Sequence, residues 1–82
     1  MSMVAKSQER ISNAEGLLIR ATILSDTTPE TFPTTGVGVD NLADAAKLDG
    51  GSVLIDLQAS DTYILGNDGE TWHKWGKTES EV

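Results

Sequence analysis

The chain has 82 residues, no cysteine, and a formal net charge of −7 from thirteen acidic against six basic side chains. A chain this short makes one domain with a marginal core, and without thiols it has no disulfide or thiolate zinc site to brace it, which leaves association as the remaining staple. The acidic balance argues against a nucleic-acid backbone or an anionic membrane as partner, and no apolar run exceeds three residues, which excludes a membrane span.

Residues 1–16 are mostly polar and read as a flexible N-terminal arm, either a solvated tail or a strap onto a neighbouring subunit. Met3, Val4, Ile11 and Ala14 make only a weak helical stripe, and Gly16 cancels the capping-box spacing of Ser12 and Glu15. Leu17 to Leu24 reads as the first strand. Ile19, Ala21 and Ile23 take one face; Leu18, Arg20, Thr22 and Leu24 take the other. Ser25 to Val39 is a loop, with Pro29 and Pro33 each removing a backbone donor. Phe32, the sole phenylalanine, is expected to pin that loop onto the sheet or onto a neighbour. Asp40 to Leu48 is predicted to make one or two helical turns, capped by Asp40, with Leu42, Ala45 and Ala46 on one face and Leu48 as its further candidate. Asp49-Gly50-Gly51 then stops it.

The strongest pattern is a meander of three strands, Ser52–Leu57, Thr62–Leu65 and Thr71–Trp75. The last two are joined through Asn67-Asp68-Gly69, an Asp-Gly hairpin signal. The expected fold is mainly β: an antiparallel meander or sandwich-like module of about four strands with one short helical turn. Its single domain covers 17–76, followed by a flexible tail over 77–82. Apolar residues fall on both faces of these strands, which a sheet with one wet side does not require. Either the 25–48 segment covers the second face, or another copy of the chain does.

The residues spell out no reaction. His73 is the only histidine and has no cysteine to join it in a metal site. Gly36-Val37-Gly38 begins like a dinucleotide loop but lacks the third glycine and the βαβ frame. Asn67 to Glu70 could suggest Ca²⁺, yet the spacing is not that of an EF-hand and a hairpin turn explains all four residues. Pro29 and Pro33 have PxxP spacing without flanking cations. There is no Gly-x-Ser-x-Gly elbow. No catalytic residue, cofactor or metal is therefore assigned. A small enzyme would need a pocket gathering His73 with two or more acids.

At the meander, Gly51-Ser52-Val53-Leu54-Ile55-Asp56, then Asp61-Thr62-Tyr63-Ile64-Leu65-Gly66, then Asp68-Gly69-Glu70-Thr71-Trp72-His73-Lys74-Trp75 form a run that resembles small modules of tailed bacteriophages. Such modules are encoded in or near virion structural genes, especially in phages of Gram-positive hosts. Phe32-Pro33-Thr34-Thr35-Gly36, Val39-Asp40-Asn41-Leu42 and Ala46-Lys47-Leu48 resemble the segment preceding that hairpin. The likeness spans about Thr27 to Trp75 and carries no catalytic residue. It implies a non-enzymatic structural or assembly-accessory protein, a symmetric homo-oligomer that also binds other virion proteins, located in the virion or in the host cytoplasm during assembly. From the residues themselves, Leu18, Phe32, Leu54, Ile64, Trp72 and Trp75 are the candidates for the buried contact. The alternative is a carbohydrate-binding module of a tail or fibre protein, stacking sugar on Tyr63, Trp72 and Trp75.

Overall fold

The computed structural model describes residues 2–12 and 17–75. The tail expected over 77–82 lies outside them. The described residues form one mixed sheet of six strands: β1 (Met3–Ser12), β2 (Leu18–Ser25), β3 (Lys47–Leu48), β4 (Val53–Asp56), β5 (Asp61–Leu65) and β6 (Trp72–Lys74). The sheet order is β1-β2-β4-β5-β6, with β3 also paired to β2.

The predicted strands all form, with boundaries shifted by a residue or two, and β4-β5-β6 is the expected antiparallel meander. Four expectations are corrected. The strands number six and not about four, and the sheet is mixed rather than antiparallel throughout, because β3 and β4 return parallel to β2. The N-terminal arm is a ten-residue strand antiparallel to β2. The helical turn over Asp40–Leu48 does not form. Asp40 instead pairs with β1, its N–H donating to Met3 O at 2.8 Å and its carbonyl accepting from Ala5 N at 2.9 Å. Asn41 then takes φ +68°, a left-handed conformation that ends a right-handed helix before it starts.

β2 is the spine. Along one edge it pairs with β1; along the other it pairs in parallel first with β3, at Leu18 and Ile19, then with β4, from Thr22 to Ser25. A parallel return needs a crossover, and the segment between Ser25 and Lys47 supplies it by passing over one face of the sheet. That segment contributes Val39, Leu42 and Ala46, and with β3's Leu48 they meet Ile19, Ala21, Ile23, Leu54 and Leu65 in the core. Met3 and Ala5 of β1 complete it. The crossover is tied down by backbone bonds, Gly36 N to Ala46 O and Leu48 N to Thr34 O, both 3.0 Å. Gly36 is required there: a Cβ would lie 1.9 Å from the Ala43 carbonyl oxygen.

Between β3 and β4 the ladder on β2 is interrupted. Ser52, fully buried, fills the gap: its hydroxyl accepts from Ala21 N at 3.2 Å and donates to Asp49 O at 2.8 Å. At the other end of β4, Asp56 is also fully buried. Its Oδ2 accepts from the Thr28 hydroxyl at 2.6 Å, and its Oδ1 accepts from Gln58 N at 3.0 Å and Ala59 N at 3.1 Å. This latches the start of the crossover to the β4–β5 turn.

Candidate interaction surface

Cross-strand partners share a face of a sheet, so the register sorts the side chains into two sets. The core face holds Ile23 opposite Leu54 and Leu54 opposite Tyr63, with Leu65 opposite Trp72. The other set forms two rows across the sheet. One runs Val4, Leu24, Ile55, Thr62. Trp75 N donates to Thr62 O at 2.7 Å, which carries the β5–β6 pairing one step further and adds Trp75 to that row. The second row runs Ser7, Thr22, Val53, Ile64, His73.

No described element covers these rows. Val4, Leu24, Val53, Ile55 and Ile64 are all half-exposed, and none belongs to the core cluster or packs against it. Trp75 is 61% exposed. Five aliphatic side chains and a tryptophan therefore share one open sheet face. At one end of this face Glu9 and Asp49 hold Arg20, at 3.4 and 3.5 Å, beside a shallow polar cleft lined by Ser7, Gln8, Thr22 and Gly51.

The six predicted contact residues divide between the two sides. Ile64 and Trp75 lie on the open face. Leu18 falls there by alternation with Ile19 and is half-exposed. Leu54 is corrected: it has no exposed surface and belongs to the core of the single chain. Phe32 and Trp72 pack against the core on the covered side. Phe32 meets Tyr63 edge-on with centroids 4.7 Å apart and Trp72 at 5.9 Å, and Trp72 Nε1 donates to Pro33 O at 2.8 Å. The loop is thus pinned onto the sheet by its phenylalanine. Of the three aromatics proposed to stack on sugar, Tyr63 and Trp72 are engaged with Phe32, and Trp75 stands clear.

Val4, Leu24, Val53 and Ile55 were not among the predicted contacts. The signal was present for β4, where Val53 and Ile55 alternate with Ser52, Leu54 and Asp56. Two polar residues in the second trio make it look like the wet side, yet both are buried as hydrogen-bonding hubs.

The remaining polar side chains serve turns. Asp68 Oδ1 accepts from Glu70 N at 2.9 Å and Thr71 N at 3.0 Å, and Oδ2 accepts from the Thr71 hydroxyl at 2.8 Å. Those bonds, the Glu70 N–H first, pull its pKa down to about 2. Asp56 is also held below the ordinary carboxylate value, chiefly by the Thr28 hydroxyl and against the opposing effect of burial. Among the described residues no three His, Asp or Glu side chains gather as a metal site would need. Comparison with protein-family models, with curated proteins and with solved structures gives no match.

Proposed function

We propose that this protein is a non-enzymatic structural or assembly-accessory component that works by homo-oligomerisation and by binding other proteins, in the setting of a tailed bacteriophage virion or its assembly in the host cytoplasm. The observation that carries the binding part is the open sheet face: Val4, Leu24, Val53, Ile55 and Ile64 half-exposed in adjacent rows, with Trp75 at the margin. Contiguous apolar surface of this kind marks an interaction site in a soluble chain, and tryptophan is a favoured anchor at such sites. The phage setting rests on the resemblance of the Thr27–Trp75 pattern. The sandwich-like architecture expected from the sequence is then a property of the assembly, with one sheet layer per chain.

Sedimentation velocity at micromolar concentration tests the reading. It expects a defined oligomer; a species that stays at 8.7 kDa across that range removes it. The carbohydrate reading retains one specific support, the exposed indole of Trp75. Quenching of tryptophan fluorescence by cell-wall sugars, lost in Trp75→Ala, would favour it.

A further inference from the structure

We infer that the occupant of the open face is a second copy of this chain, stacked sheet against sheet about a two-fold axis that runs along β4. This rests on the reading above and adds to it the surface, the partner and the geometry.

Charge selects the partner. The chain carries −7, yet the open face is close to neutral. Within the strands, Asp56 and Asp61 pair with each other in register and lie on the covered side. Asp40 pairs with Val4 and so continues the open-face row at its β1 margin, where Lys47, paired with Leu18 on the same face, offsets its charge; Asp68 lies in the β5–β6 turn. Glu9, the strand carboxylate on the open face, is held by Arg20. A second, equally acidic copy can therefore approach here without bringing like charges together, because stacking about the β4 axis sets the two Asp40 side chains at opposite margins.

Within these 82 residues, the ones outside the described segments do not match the patch. Outside the described segments this sequence offers only Met1, Ala14 and Val82 as apolar side chains, one in each of three separate places. The β1 edge competes poorly as a contact. From Lys6 to Ile11 it is exposed, but it carries Lys6, Glu9 and Arg10 and two register shifts, between Ala5 and Ser7 and between Arg10 and Ser12. Charges and bulges are the devices that discourage edge pairing.

β4 is the middle strand of the β1-β2-β4-β5-β6 path. An axis along it sets Val53 and Ile55 against their own counterparts. It also lays the β6 end of one sheet over the β1 end of the other, so Trp75 covers Val4 of the second copy and Leu24 meets Thr62. Large thus meets small at both margins, and the contact is self-complementary as a two-fold interface must be. Two sheets packed this way stand about 10 Å apart.

The absence of cysteine makes the test clean. Val53→Cys and Gln8→Cys are each treated with a bismaleimide of about 10 Å reach, matched to that sheet spacing, and their masses are compared with the untreated oligomer. Covalent dimer from Val53→Cys but not from Gln8→Cys is expected. In parallel, Ile55→Lys is expected to weaken association by about 30-fold or more, as for loss of a central contact, while retaining the β-sheet circular dichroism. Cross-linking at Gln8 instead, or an intact oligomer that neither variant links, overturns the face-to-face arrangement and leaves oligomerisation standing. A monomer throughout overturns both.

Discussion

Ser52 substitutes for a piece of backbone. Where β3 has ended and β4 has not begun, its hydroxyl is the partner of Ala21 N–H. Ser52→Ala keeps the shape and leaves that buried donor unpaired, so it should cost about 1–3 kcal/mol of stability, read from urea unfolding. Gly36→Ala has a different cause: the added methyl collides with the Ala43 carbonyl, and the loss should be of similar size, about 1–3 kcal/mol, through forced backbone movement. Asp68 gives a pH signature. Its folded pKa, about 2, lies below its ordinary 3.8, so its contribution is fully present above 3.8 and disappears as pH falls toward 2. Asp56 acts in the same direction. Wild type should therefore exceed Asp68→Ala in melting temperature at neutral pH, and the two curves should converge on acidification. A constant gap down to pH 2 would show that the carboxylate is not the cause.

At the scale of elements, alternation on β4 separates two roles. Leu54→Ala opens a cavity in the core and should cost about 2–5 kcal/mol. Val53 and Ile55, one residue away on either side, belong to the open face, and their substitution should act on association. Measuring chain stability and oligomer mass for both kinds of variant separates the faces. Strands β2, β4, β5 and β6 could be read from the sequence because β-branched and aromatic residues fill them and turn residues bound them. β1 could not. From Lys6 to Ile11 it is an exposed edge whose order comes from backbone pairing with β2, and its two register shifts break the period that would reveal it. The Asp40–Leu48 segment misled in another way. Of the expected helical face, Leu42, Ala46 and Leu48 are buried but Ala45 is exposed, and the backbone reaches that burial through turns. Short apolar spacing alone does not distinguish the two. Which β4 set faced outward was hidden by Ser52 and Asp56, polar residues whose partners come from Ala21, Thr28 and the β4–β5 turn. Those contacts are set by the crossover and its parallel return to β2.

At the scale of the whole molecule, the crossover covers one face of the sheet, and among the described residues nothing covers the other. A core built on one sheet face by one loop layer is small, and completing the second face with another chain makes a two-layer sandwich from one-layer parts. Stability should then rise with protein concentration, because burial of the open face is shared between folding and association. Sedimentation equilibrium on the wild-type chain and on Ile55→Lys tests this most directly. The expected result is a wild-type mass of twice 8.7 kDa at micromolar concentration that falls to one chain in the variant, with the fold retained. A wild-type mass of one chain at that concentration would contradict it.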